Sequence, residues 1–197
     1  MPLIRVVRHR LALLACALVM TAGAARADDY SPVQQLMRNG QYAEALQKAD
    51  LYLAGNPRDP QMRFLRGLIQ QDSGRTADAV VTFARLTEDY PELPEPHNNL
   101  AVLYAAQGQL DRARIALEAA IRANRTYATA HENLGDIYLR LAAQSYAAAQ
   151  QNDPAGTTVG PKLTLIRQLT AASAPARGTA PATDRARPAR PAASASR

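Results

Sequence analysis

Cysteine occurs once in the 197 residues, at Cys16; tryptophan is absent and phenylalanine occurs twice. A lone thiol excludes an internal disulfide framework, because each bridge needs two cysteines. Long apolar runs are missing too. The longest, Leu11 to Ala24, falls short of the roughly 20 residues a helix needs to cross a bilayer. Nor is there a glycine-rich phosphate loop, a nucleophile motif or an acid pair at a compelling spacing, so the expectation is a non-enzymatic chain without cofactor. The stretch HENLGDIY, His131 to Tyr138, opens as a zinc-protease helix would. Gly135, however, stands where the second imidazole is required one turn on. No metal is expected.

The formal net charge of +6 is concentrated at the ends. Residues 1–27 hold four arginines and no acid, and residues 171–197 hold five arginines and one aspartate. That leaves 14 basic against 16 acidic residues between 28 and 170, a net charge of −2. Such a body lacks the electrostatic footprint that binding to a phosphate backbone needs, so no nucleic-acid partner is expected.

Both ends read as segments outside the folded body. Arg5, Arg8 and Arg10 precede the apolar run, which closes on Ala25-Arg26-Ala27. This is the layout of a secretory signal peptide, with cleavage expected after Ala27 and a periplasmic destination. A second reading starts from Leu13 to Cys16, which is similar to a lipoprotein processing site. It would lipidate Cys16 and give the chain its one route to a membrane. Beyond 171 nearly every residue is Ala, Pro, Ser, Thr, Gly or Arg. This composition buries too little apolar surface to offset the entropy of ordering, and disorder is expected there.

Between the ends the sequence repeats itself. Ala45, Ala79, Ala113 and Ala147 are equally spaced at thirty-four residues, as are Gly40, Gly74 and Gly108, Gly67, Ala101 and Gly135, and the pair Pro57 and Pro91. Within a unit, residues such as Leu100, Leu103 and Tyr104 recur three or four apart, which predicts an amphipathic helix. A glycine able to take positive φ then ends that helix. A second run follows, as in Leu110 to Ile121, with alanine where two helices approach and proline just past the end. Each unit is a helix hairpin.

These residues give the chain its resemblance to the tetratricopeptide-repeat family. The clearest copy, 60–93, carries Gly67, Gly74, Ala79, Phe83 and Pro91; the next, 94–127, carries Leu100, Ala101, Tyr104, Gly108, Ala113 and Leu117, with Arg125 in place of proline. Residues 28–59 form a degenerate first copy with Leu36, Gly40, Tyr42, Ala45 and Pro57, and 128–152 a partial fourth with Leu134, Gly135, Tyr138 and Ala147. The partial copy has Ala142 for the turn glycine and Gln151 for the bulky residue, which puts its second helix in doubt. Residues 152–161 read as a loop, and Leu163, Ile166 and Leu169 predict a short helix over 161–170 that caps the last repeat. The resemblance implies an all-α fold, a right-handed α-solenoid of three to four stacked hairpins with a C-terminal capping helix.

It also implies a function: first helices line a concave groove that holds a peptide or a partner's helix. The groove residues expected on that basis are Asn98, Asn99, Val102, Glu132, Asn133, Asp136 and Arg140. Asn99 and Asn133 fall where the family's side-chain amide grips a peptide backbone, while Glu132, Asp136 and Arg140 also read as a solvated face with one Asp-Arg pair. Phe64, Asn98 and Glu132 succeed one another where the family's carboxylate clamp would want a cation, so chaperone-tail binding is not expected. His97 and His131 take the bulky packing position rather than a metal site. The partner is expected to be a protein or peptide, and the role a scaffold in a bacterial envelope or an accessory subunit of an envelope enzyme or secretion assembly.

Overall fold

The computed structural model describes residues 24–172, with side chains from Tyr30 to Ala171. The expected leader, apart from its last four residues, and the tail from 173 lie outside the described residues. These form eight α-helices and no strand: α1 (Ala24–Arg38), α2 (Tyr42–Gly55), α3 (Pro60–Asp72), α4 (Thr76–Asp89), α5 (Pro94–Ala106), α6 (Leu110–Ala123), α7 (Ala128–Asn152) and α8 (Val159–Ala172). No helix among the described residues is long and apolar enough to cross a membrane.

Local chemistry sets the helix ends. Gly40, Gly74 and Gly108 have φ of 73°, 79° and 74°, a conformation that a side chain would strain. Around Gly40 the chain closes as a Schellman turn, with Gly40 N–H donating to Met37 and Gln41 N–H to Leu36. Gly108 and Gln109 repeat that pattern on Ala105 and Tyr104. At the other end of a helix, Pro60 and Pro94 occupy first-turn positions whose missing N–H costs no helical bond.

The chain divides into two compact units with the boundary between Gly74 and Arg75, inside the turn of the 60–93 copy. In the first unit α2 packs against both α1 and α3. Asp59 joins all three: its carboxylate accepts from Tyr30 at 2.6 Å and Tyr52 at 3.2 Å, and it caps α3 by accepting from the Met62 N–H at 2.8 Å. Burial, with the bond to Asp59, drives the Tyr30 hydroxyl far above its ordinary pKa. Ala45, a member of the alanine ladder, is fully buried, as are Val33 and Ala49.

In the second unit α4 packs on α5, α5 on α6, α6 on α7 and α7 on α8, and α5 also touches α7. Phe83, Leu86, Leu117 and Ala120 are inaccessible or nearly so. Here the 34-residue rhythm stops. α7 runs unbroken through Ala142, the place where the turn glycine of each earlier copy sits. Alanine has the highest helix propensity and no tendency to positive φ, so nothing reverses the chain.

Burial along α7 changes accordingly. Among its apolar residues, Ile137 is 4% exposed and Leu134 and Leu141 are partly covered, but Tyr138 is 49% exposed. A Cβ added at Gly135 would meet nothing, whereas Gly67 and Ala101, two units and one unit earlier, are buried. Ala147 is partly exposed although Ala79 and Ala113 are sealed. The side chains are those a hairpin would bury; the helix that would cover them does not fold back.

α8 starts at Val159, inside the stretch read as a loop, with Pro161 tolerated in its first turn. Gly160 lies against Gln150, while Thr170 shares a wall with Asp136 and Arg140, so α8 runs antiparallel to α7. Leu163 is 3% exposed, but Leu165 and Leu169 stay open and Tyr138 is left uncovered. The expected C-terminal helix is present: α8 packs on α7 and buries Leu163, and leaves Tyr138 exposed.

Candidate functional site

Within the second unit α5, α7 and α8 line a half-open cavity of about 600 Å³. α5 contributes Val102, Ala105 and Ala106; α7 contributes Asn133, Asp136, Ile137 and Arg140; α8 contributes Thr170. Ala101 and Leu117 complete its wall. The small residues of α5 create the space: three alanines on one side leave room that larger side chains would fill.

Four of the seven groove residues expected from sequence line this cavity, namely Val102, Asn133, Asp136 and Arg140. Asn98 lies behind the wall, only 6% exposed, and its Oδ1 accepts from Nδ2 of Asn133 at 2.8 Å. Asn99 turns away and donates from Nδ2 to the Glu95 carbonyl of its own helix at 2.9 Å. Glu132 is exposed and outside the wall. Asn99 and Asn133, although one repeat apart, thus act differently. The first bonds its own helix, and the second ties α7 to α5. An Asn side chain offers two donor hydrogens and an acceptor oxygen, so the bond to Asn98 leaves Asn133 further capacity toward the cavity.

The expected Asp136–Arg140 pair does not form. Arg140 reaches across and donates from Nη2 to the Ala105 carbonyl at 2.9 Å. That carbonyl already accepts from the Gly108 N–H in the turn, so Arg140 is a second donor to it, and a cation at a helix C-terminus lies in line with the dipole. The Asp136 carboxylate is left in the wall without its neighbouring cation, and the cavity is apolar with one acidic corner.

The two histidines anchor turns. His97 Nε2 lies 3.3 Å from the Pro91 carbonyl and His131 Nε2 lies 3.0 Å from that of Arg125, each six residues back. Burial pushes His97 below its ordinary pKa, with Arg122 adding to the effect and the Pro91 bond opposing it. No group of three or more His, Cys, Asp or Glu among the described residues is placed to hold a metal.

Sequence reasoning missed Thr170. A signal for it existed: Thr170 is seven residues, two helical turns, beyond the buried Leu163, so both lie on one face of α8. What the repeat ladder could not supply was the position of a helix outside the ladder.

Comparison with known proteins agrees with the period. Residues 33–94 match one tetratricopeptide-repeat family model and residues 70–134 match another. A TPR repeat-containing thioredoxin of Arabidopsis thaliana is 35% identical over 75 residues, 38% of this chain and 11% of that protein. The chain thus spans about a tenth of that relative's length. Among solved structures, the Yersinia enterocolitica type III secretion chaperone SycD, in complex with a peptide of the translocator YopD, aligns with a TM-score of 0.53 at 17% identity, covering 57% of this chain and 92% of the chaperone. The Sgt2 TPR domain of Aspergillus fumigatus gives 0.54 at 18%, covering 56% and 75%. MamA gives 0.53 at 18%, covering 71% and 84%. At these identities the likeness shows the fold, an all-helical tetratricopeptide solenoid.

Proposed function

Because residues 33–134 are tetratricopeptide repeats, we propose that the chain is a non-enzymatic adaptor of the bacterial cell envelope that holds a peptide or helix of a partner protein in the cavity between α5 and α7. The observation that carries this reading is the cavity itself, walled by Val102, Asn133 and Asp136 on first helices of successive repeats. Its apolar floor suits a partner's side chains, Asn133 suits a partner's backbone, and Asp136 suits a basic group.

The envelope setting rests on Arg5, Arg8, Arg10, the apolar run and Ala27, with export to the periplasm. Intact mass of the mature protein tests it: the chain should begin at Asp28, and a diacylated species beginning at Cys16 would instead make it a lipoprotein. A second reading, an accessory subunit that docks substrates for a secretion assembly or envelope enzyme, draws on the SycD fold, which in its own structure holds a translocator peptide.

A photo-crosslinker at Val102 in cells separates the readings. Several transient adducts support the adaptor, and one stoichiometric enzyme supports the subunit. No adduct at Val102, with adducts formed from the exposed face instead, overturns the cavity as the binding site.

A further inference from the structure

Thr170 stands in the cavity wall with Asp136, and α8 ends two residues later at Ala172. Whatever follows therefore starts at the rim of the cavity. Residues 173–197 contain four prolines, and five arginines against the single Asp184. Proline fixes φ near that of an extended chain, which lowers the entropy lost on seating it in a groove. Alanine and proline are small enough for a wall made of Val102 and alanines. Arginine supplies the cation that Asp136 lacks, because Arg140 is engaged with the Ala105 carbonyl.

Reach and concentration agree with this chemistry. Arg177 is five residues past Ala172, and at about 3.3–3.6 Å per residue an extended chain brings it up to roughly 17 Å from the end of α8. A segment tethered by a short linker experiences an effective concentration on the order of millimolar, so even a weak contact is well populated.

We infer that residues 173–197 dock in cis in the cavity, with Arg177 against Asp136, and compete there with an outside partner. This rests on the reading of the cavity as a peptide site. The tail is thus a built-in occupant that a partner must displace, and a partner offering a basic, proline-containing segment replaces it contact for contact.

The test uses the full chain with Cys16→Ser and Ala182→Cys, carrying a nitroxide at position 182. The amide signals of Val102 and Asn133 should lose intensity, Arg177→Glu should restore them, and Arg177→Glu combined with Asp136→Arg should bring the loss back. Unaffected signals, or equal loss with and without Arg177→Glu, would overturn the proposal. So would loss seen in unlabelled chains mixed with labelled ones, which would assign the tail to a second copy. Arg177 is outside the described residues, so Arg177→Glu alters none of the side chains that build α1 to α8. Because no outside partner takes part, the outcome is independent of crosslinking at Val102: a silent tail with adducts at Val102 sinks only this inference, and the reverse result sinks only the partner reading.

Discussion

Asn133 donates from Nδ2 to Oδ1 of Asn98 at 2.8 Å, which joins α7 to α5 directly beside the cavity. Asn98 being buried, removal of its partner leaves a polar group unpaired, which costs about 1–3 kcal/mol. Asn133→Ala should lower unfolding free energy by about that amount in urea titrations. Asn99→Ala, which severs only a bond to its own helix, should change it by a few tenths, about what local side-chain pairs contribute. A double-mutant cycle on Asn98 and Asn133 should show coupling; strict additivity would mean the bond contributes nothing.

Tyr104 and Tyr138 are equivalent in the repeat and unlike in their surroundings. Tyr104 is 7% exposed, with Arg112 donating to its hydroxyl at 2.6 Å, while Tyr138 is 49% exposed and only grazes Glu118 at 3.5 Å. Tyr104→Ala should destabilise by about 3–5 kcal/mol, in the range for large aromatic truncations, and Tyr138→Ala by less than about 1 kcal/mol. Thermal melts that rank the two the other way would mean that Tyr138 is covered.

Glycines 74 and 135 should respond with opposite signs. Gly74 has φ of 79°, and alanine there should cost about 1–2 kcal/mol. Gly135 is in the interior of α7 with open space where its Cβ would go, so Gly135→Ala should stabilise by about 0.8–1 kcal/mol through helix propensity alone. A destabilised Gly135→Ala protein would show that some element packs on that face in solution.

His97 makes stability depend on pH. Its folded pKa is lowered from 6.5, so on acidification the unfolded chain takes up the proton first and unfolding is favoured. The contribution is present above about 6.5 and is lost as pH falls toward the lowered value. Glu95, raised from 4.5 by burial, acts oppositely: it adds stability as pH falls through its raised value toward 4.5, since there the folded state holds the proton more tightly. The melting temperature should decline between about pH 7 and pH 5 in the native protein, and His97→Gln should flatten that decline. Parallel curves for the two proteins would remove His97 as the cause.

Features that depend on a single residue type were legible in the sequence. A turn needing positive φ demands glycine, and Gly40, Gly74 and Gly108 supply it. A close helix crossing demands a small side chain, and Ala79 and Ala113 are sealed. Features that depend on how two helices slide past each other were not legible. The ladder aligns Asn99 with Asn133 thirty-four residues apart, but the bonds that form between α5 and α7, Asn133 to Asn98 and Arg140 to Ala105, both span thirty-five. Equivalent positions in two repeats are not facing positions, because neighbouring helices meet along their flanks. The same limit applies to α8: its stripe marked a helix, and only the fold shows Thr170 at the cavity.

Unbroken α7 also decides how a chain of this kind can be lengthened. A further copy of residues 94–127 inserted ahead of Ala128 would bring its own turn glycine, Gly108, and its own closing segment, and would add one hairpin. The same copy placed after Leu141 would find Ala142 and no reversal, and its first helix would have nothing to lean on. Lengthening by duplication is open on the N-terminal side of α7 and closed on the other, because α7 runs through Ala142 without a turn.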